Sequence, residues 1–304
     1  MPLSPRLHAA SESAHYPMAL DKTQVGIIGL GIIGSRVAGV LNKAGAQVYV
    51  WNRTPRPVTN FLSSPGEVAR LANVVQIFVT HGEALLTVLD SIKPHLTRKH
   101  IIMNHSTIDV ESTLQAAGIV EESGAAFLDA PFTGSRLAAE KAALVYYVGG
   151  DTKVLERARP VLEATAKEIL PVGKIGDATT LKIATNMISA ATVQVLSEAY
   201  GVTVSAGIDP RKLMEALELN GCGSPLTAMK LPTMINQDYT PHFSLKNMFK
   251  DAQLALGLAN RHRIDLPVLS TTASMMFKTM QKGYAEQDYS VLARNYQEEP
   301  GGRR

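Results

Sequence analysis

Six residues near the start of the chain, Gly29-Leu30-Gly31-Ile32-Ile33-Gly34, constrain the fold more than any other stretch. They follow the apolar run Val25-Gly26-Ile27-Ile28 and lead into Ser35 to Lys43, whose apolar residues have helical spacing. A strand, a tight glycine turn and a helix start are the context in which a G-x-G-x-x-G match predicts a dinucleotide-binding β-α-β unit. A Cβ at the second glycine would block a pyrophosphate, whose charge rests on amide N–H groups at the helix N-terminus. Gly29, Leu30, Gly31, Ile32, Ile33 and Gly34 are therefore candidate cofactor contacts.

The same alternation continues downstream. Short β-branched runs at Val25 to Ile28, Gln47 to Trp51, Val74 to Val79, His100 to Asn104, Ala126 to Asp129, Leu144 to Val148 and Glu168 to Pro171 predict strands of a mostly parallel sheet. Helical patterns lie between them, as in Gly34 to Lys43 and Val110 to Glu122. Beyond Ala178 no strand pattern remains: Thr179 to Ala206, Pro210 to Leu219, Leu245 to Asn260 and Val268 to Lys282 have helical periodicity. A length of 304 residues suits two domains. The expected division is a disordered N-terminal extension over 1–20, a nucleotide domain over 21–178 and a helical domain over 179–304, ending in a solvated tail from Glu298. In the first helix of the second half, Leu181, Ala184, Ile188 and Val195 form one apolar stripe. Lys182 and Asn186 share a different face, away from the main core.

Composition excludes several classes. With 45% hydrophobic and 19% charged residues the chain is globular rather than disordered. Its 30 basic and 27 acidic side chains leave +3, with no basic tract of the kind that binds nucleic acid. The most apolar run, Val25 to Gly34, is far shorter than the ~20 residues of a bilayer span, so no membrane segment is expected. A lone cysteine, Cys222, excludes a disulfide scaffold and favours a reducing compartment, here the cytoplasm. His81 and His105 have no third ligand at metal-binding spacing and are expected at strand ends, facing the cleft or solvent; no metal is expected. Ser224 and Met229 are expected as cap and core residues, and Cys222 has no base partner in sequence.

In the NAD-binding version of the motif an acid about 20 residues further on holds the ribose 2′-hydroxyl. Here the second strand ends in Trp51-Asn52-Arg53-Thr54-Pro55-Arg56, without a carboxylate. Arg53, with Asn52, Thr54 and Arg56, offers charge-assisted hydrogen bonds to a 2′-phosphate, which predicts NADP(H) as the cofactor.

Six motifs in order resemble the β-hydroxyacid dehydrogenase family, which contains 3-hydroxyisobutyrate dehydrogenase, and within it the chain is most similar to glyoxylate/succinic semialdehyde reductases. They are Gly29 to Gly34, Trp51 to Thr54, Ser106-Thr107, Asp129-Ala130-Pro131-Phe132-Thr133-Gly134-Ser135, Lys182 with Asn186, and Phe243-Ser244-Leu245-Lys246 to Lys250-Asp251. The resemblance spans about Gln24 to Leu292. It implies an α/β Rossmann domain with a mostly parallel sheet, an all-helical C-terminal domain, a long helix joining them, and an active site between the two.

The resemblance also implies roles. Lys182 matches the family's catalytic lysine, general acid in reduction and general base in oxidation. A positioned ammonium suits that role because the carbonyl oxygen gains negative charge as hydride arrives. Thr133, Gly134 and Ser135 match the loop that receives the substrate carboxylate, and Asn186 and Phe243 match substrate-side residues. Val79, Thr80, Thr107, Lys250 and Asp251 match cofactor-side positions. The implied reaction is reduction of small carboxylated aldehydes or keto acids with NADPH, by a homodimer or homotetramer.

The chain departs from the family pattern at Phe132-Thr133, where Val-Ser is usual, at Thr185, where an asparagine precedes Asn186, and at Asn104, where an aspartate is usual. The passage from Pro55 to Ser63 is also short. An imine reductase of the same architecture, which often carries Asp at the lysine position, and a non-catalytic NADP(H)-binding protein are the alternative readings.

Overall fold

The structure, a computed structural model, describes residues 20–297. The extension expected over 1–20 lies outside the described residues except for Leu20, and so does the tail from Glu298. Leu20 itself is core: its N–H donates to Ala44 O at 2.9 Å and its side chain is 4% exposed.

Eight strands form one sheet. β1 (Gln24–Ile28), β2 (Gln47–Trp51), β3 (Val74–Ile77), β4 (Ile101–Asn104) and β5 (Ala126–Asp129) are parallel, in the order β2-β1-β3-β4-β5. The direction then reverses. A two-residue β6 (Phe132–Thr133) and β7 (Leu144–Gly149) pair antiparallel, β7 is antiparallel to β5, and β8 (Ala166–Gly173) lies parallel to β7. The strand expected to reach Val79 stops at Ile77, and Phe78, Val79 and Thr80 line the cleft.

Helices cover both faces, which is why the central strands read as near-continuous apolar runs. On one side α1 (Gly34–Lys43) and α6 (Thr152–Glu163) bury Val37, Leu41, Leu155 and Leu162 against Ile27, Val48, Met103 and Tyr146. On the other, α2 (Pro65–Leu71), α3 (Gly82–Ile92) and α4 (Val110–Glu121) bury Val68, Leu85, Leu89 and Val120 against Ile28, Val75, Ile77 and Ile102. A short α5 (Arg136–Glu140) follows β6.

The second half is helical. A 29-residue helix, α7 (Asp177–Ser205), leaves the sheet and runs through a separate core formed with α9 (Pro225–Ile235), α10 (Leu245–Arg261) and α11 (Pro267–Thr279), flanked by α8 (Pro210–Glu218). The helix expected to run to Lys282 ends at Thr279; one further helical stretch is broken by Gly283 at φ +91°.

The apolar stripe expected on α7 is not the core face. Ile188 is 62% and Val195 56% exposed, and Val202, one heptad further, is 72% exposed. The buried face is Ile183, Ala190, Val193, Leu196 and Tyr200. Heptad spacing marks a continuous face of a helix but not which neighbour covers it.

One carboxylate joins the halves. Asp129, at the end of β5 and wholly buried, accepts hydrogen bonds from the N–H groups of Gly176 (3.0 Å) and Thr179 (2.9 Å) and from Thr179 Oγ1 (2.7 Å). It thereby satisfies orphan donors at the start of α7, which has no side-chain cap of its own. Burial pushes the carboxyl up, against these donors. Asp129→Ala leaves the Gly176 and Thr179 N–H groups without an acceptor and is expected to cost about 3 kcal/mol in urea unfolding, with Asp129→Asn costing less because its amide oxygen still accepts.

Candidate functional site

The glycine turn is shaped by close backbone approach. Gly29 sits at φ +101°, and a Cβ there would lie 2.0 Å from Phe78 O. At Gly31 a Cβ would meet nothing within 4 Å, so the turn leaves open space where the motif places a pyrophosphate. No side chain caps α1 and no acid occupies its first turn, which leaves the helix dipole free to favour an anion. Leu30 is 2% exposed, so it offers only backbone to a ligand.

Asn52 stands at the end of β2, where the NAD-binding version of the motif carries an acid. Its Oδ1 accepts from Leu30 N at 2.9 Å and its Nδ2 donates to Thr54 O at 2.8 Å, tying the end of β2 to the glycine turn. Both ends of the amide are thus in use. Arg53 and Thr54 are exposed beside it, and the Arg53 guanidinium has no partner among the described residues.

Where sheet and helical domain meet lies a cleft of about 570 Å³. From the sheet side it is lined by Gly31, Ile32, Ile33, Gly34, Val79, Thr80, Thr107, Thr133, Gly134 and Ser135, and from the helical side by Lys182, Asn186, Phe243, Lys250 and Asp251. Gly29, Leu30, Asn52, Arg53 and Thr54 stand outside this cleft, at the ends of β1 and β2. Val79 N donates to Ser106 Oγ at 2.9 Å, fixing one wall. Ser135 caps α5, its Oγ accepting from Ala138 N at 3.3 Å.

Lys182 is only 8% exposed. Among the described residues it has no ion-pair partner within 4 Å, and burial pulls it down to about 8, resisted by the charge of Asp251 and reinforced by that of Lys250. Asp251, 1% exposed, is committed elsewhere: Asn186 Nδ2 donates to its Oδ2 at 2.6 Å and Lys250 Nζ pairs with its Oδ1 at 2.8 Å. Lys250 Nζ also donates to Thr107 O across the cleft. Arg261 pairs with Glu111 at 2.7 Å, a second link from α10 to the sheet domain.

Of the two placements expected for His105, cleft or solvent, the structure has the cleft: it lies at the base, is 1% exposed, stacks on Phe78 at 4.7 Å between ring centroids, and Nδ1 donates to Ala130 O at 2.6 Å. Burial lowers it to about 4, so it is a neutral packing residue at the cleft base. Met229 is not core but 40% exposed in the cleft, while Ser224 does cap α9. His81 caps α3 through Nδ1, and Cys222 is an exposed free thiol. Leu226, Lys230, His242, Asn247 and Tyr289 also line the cleft. No local pattern marks them, because they converge from α9, α10 and the segments around them. Among the described residues no His, Cys, Asp or Glu cluster could hold a metal ion, and no helix is long and apolar enough to cross a membrane.

Comparison with known proteins covers both halves. Residues 24–173 match the family described as the NAD binding domain of 6-phosphogluconate dehydrogenase, and residues 176–296 that described as NAD-binding of NADP-dependent 3-hydroxyisobutyrate dehydrogenase. The 2-hydroxy-3-oxopropionate reductase of Escherichia coli is 32% identical over 88% of this chain and 95% of its own length. Glyoxylate/succinic semialdehyde reductase 2 of Arabidopsis thaliana is 29% identical over 90% of this chain and 79% of its own. Among solved structures, 3-hydroxyisobutyrate dehydrogenase of Mycobacterium tuberculosis with L-serine superimposes with a TM-score of 0.84 at 25% identity, covering 91% of this chain and all of that one.

The electrostatics of Lys182 can be read directly. In NMR of reductively ¹³C-methylated protein, Lys182 is expected to titrate near 8. Lys250→Met should raise that value by removing a like charge, and Asp251→Asn should lower it by removing an opposite one.

Proposed function

We propose a reaction from one premise: the chain belongs to the β-hydroxyacid dehydrogenase family, the oxidoreductases that include 3-hydroxyisobutyrate dehydrogenase, and carries its NAD(P)-binding Rossmann domain. The reaction is NADPH-dependent reduction of a small carboxylated aldehyde or keto acid to the hydroxyacid, reversible as oxidation of that hydroxyacid. The observation that carries it is Lys182, buried in the cleft between the glycine turn and α10, in one wall with Asn186 and Asp251 and with Thr133, Gly134 and Ser135 lining the same space.

A reduced nicotinamide, when bound, would supply the hydride. The glycine turn and the amides at the start of α1 would hold its pyrophosphate, and Arg53 with Thr54 would hold a 2′-phosphate. Thr133, Gly134 and Ser135 present hydroxyls and N–H groups to the substrate carboxylate. Lys182 Nζ donates a proton to the carbonyl oxygen as that oxygen becomes negative, and accepts it back in the reverse direction. Asn186, held by Asp251, orients this end of α7, and Lys250 closes α10 over the cofactor side through Thr107 O.

Residues 21–178 act as the nucleotide domain and 179–304 as the substrate and assembly domain. The exposed Ile188, Val195 and Val202 on α7 support assembly into a homodimer or homotetramer. The exposed free thiol of Cys222 suits a reducing compartment such as the cytoplasm. In light scattering, Val195→Lys is expected to lower the molar mass toward that of one chain; an unchanged mass would remove this face from the interface.

The reaction is tested by following NADPH oxidation over glyoxylate, succinic semialdehyde and methylmalonate semialdehyde. Use of NADH equal to NADPH would sink the cofactor assignment. Arg53→Ala is expected to lower kcat/KM with NADPH roughly tenfold to hundredfold and to leave NADH nearly unchanged, the effect of about 1.5–3 kcal/mol from a charged hydrogen bond. Lys182→Met should lower kcat by about a hundredfold or more. In the wild type, reduction should fall as pH rises through about 8 and oxidation should rise there.

A further inference from the structure

Beneath the helical wall of the cleft lies a charge pair that the chemistry above does not use. Lys230 on α9 and Asp288, just before the final 3-10 turn, are each 1% exposed, with Nζ at 2.7 Å from Oδ1 and 2.9 Å from Oδ2. Removing two charges from water is costly, and apolar residues of similar volume are often as stable in such places. A pair of this kind is therefore weak evidence for stability, and what it holds in place decides its role.

Asp288 is a hub. Oδ2 also accepts from the N–H groups of His242 (3.0 Å) and Phe243 (3.1 Å), and Oδ1 from Ser290 N (3.0 Å). Burial pushes this carboxyl up, but Lys230 and the N–H donors outweigh it and hold it below the ordinary range. The backbone follows the same path: Asp288 N donates to Tyr239 O, Tyr289 N to Phe243 O, and Leu245 N to Gln287 O. Lys230 Nζ also stands 4.3 Å from the centroid of the Tyr289 ring, which meets the Phe243 ring edge-on at 6.4 Å. Two routes from one ammonium thus converge on Phe243, one through its backbone and one through its ring. Two residues later α10 begins, the helix that carries Lys250 and Asp251.

We infer that Lys230 and Asp288 are positioning residues: their buried pair holds the His242–Ser244 segment, and with it Phe243 and the start of α10, against Lys182 and the substrate. Asp288 supplies the acceptor that fixes the segment, and Lys230 keeps that acceptor charged and oriented. The inference extends the proposed reaction, but its main readout, the titration of Lys182, does not depend on turnover.

Two neutral double variants test it. Lys230→Met with Asp288→Asn keeps an acceptor for the His242 and Phe243 N–H groups; Lys230→Met with Asp288→Leu removes it. Neither leaves an unpaired buried charge, so both are expected to fold. In the Met/Leu chain, water reaching the loosened wall should move the ¹³C-methyl titration of Lys182 up from about 8 by half a unit or more. KM for the carboxylated substrate should rise at least tenfold, while NADPH affinity, which rests mainly on the glycine turn and Arg53 with Lys250 as its contact on α10, should fall by less. The Met/Asn chain, which keeps the acceptor but neither the ammonium nor the charge, should show smaller shifts of the same sign. A Met/Leu chain with wild-type Lys182 titration, or one matching Met/Asn, overturns the inference, and one that does not fold assigns the pair to stability and overturns it equally. If the wild type turns over no carboxylated aldehyde, the reaction reading fails and the titration still decides the pair.

Discussion

The buried carboxylate of Asp129 is the joint on which the molecule depends. A sheet and a helical core can each bury their own apolar faces, but neither dictates where the other sits. Asp129 closes β5 and caps α7, so the first turn of the long helix is registered to the strand end by three hydrogen bonds. Lys182 follows Thr179 by three residues, less than one helical turn. Its distance from the Thr133-Gly134-Ser135 loop, which begins four residues after Asp129, is therefore set by a short and heavily bonded path.

From that joint outward, closure is supplied by α10. Lys250 reaches Thr107 O and Arg261 reaches Glu111, so one helix touches the sheet domain both in its first half and at its last residue. The second contact is exposed and worth little by itself. The first is part-buried and shares its cation with Asp251, so bringing α10 onto the sheet and fixing Asp251 beside Asn186 are one event. The charge pair of Lys230 and Asp288 then fixes the segment from which α10 starts.

What was legible in the sequence was local. The glycine turn, β1 to β5 and the long helix follow from patterns a few residues wide, and the turn at Asn52 and Arg53 needs only its distance from Gly29. What was not legible depends on neighbours far along the chain. Lys230 meets Asp288 across 58 positions, and nothing near either residue announces the other. Heptad spacing on α7 gave a true apolar face but could not say that the other described residues leave it uncovered. His105 looked like a polar strand end, yet Phe78 and Tyr146 enclose it. Met229 was expected in the core, but α9 turns Lys230, Leu231 and Met234 inward and leaves Met229 on the cleft side.

The arrangement of charges around Lys182 has its own logic. A carboxylate in direct contact would hold the ammonium high and make it a poor base in the oxidising direction. A lysine buried with no carboxylate nearby would fall far enough to lose its proton in the reducing direction. Asp251 avoids both extremes because Lys250 and Asn186 occupy it at contact distance, leaving Lys182 only its longer-range attraction. Burial then lowers Lys182 to about 8, where both protonation states are accessible near neutrality. The protonation balance of Lys182 thus depends on which cation Asp251 touches, and that is fixed by the register of α10 rather than by Lys182 alone.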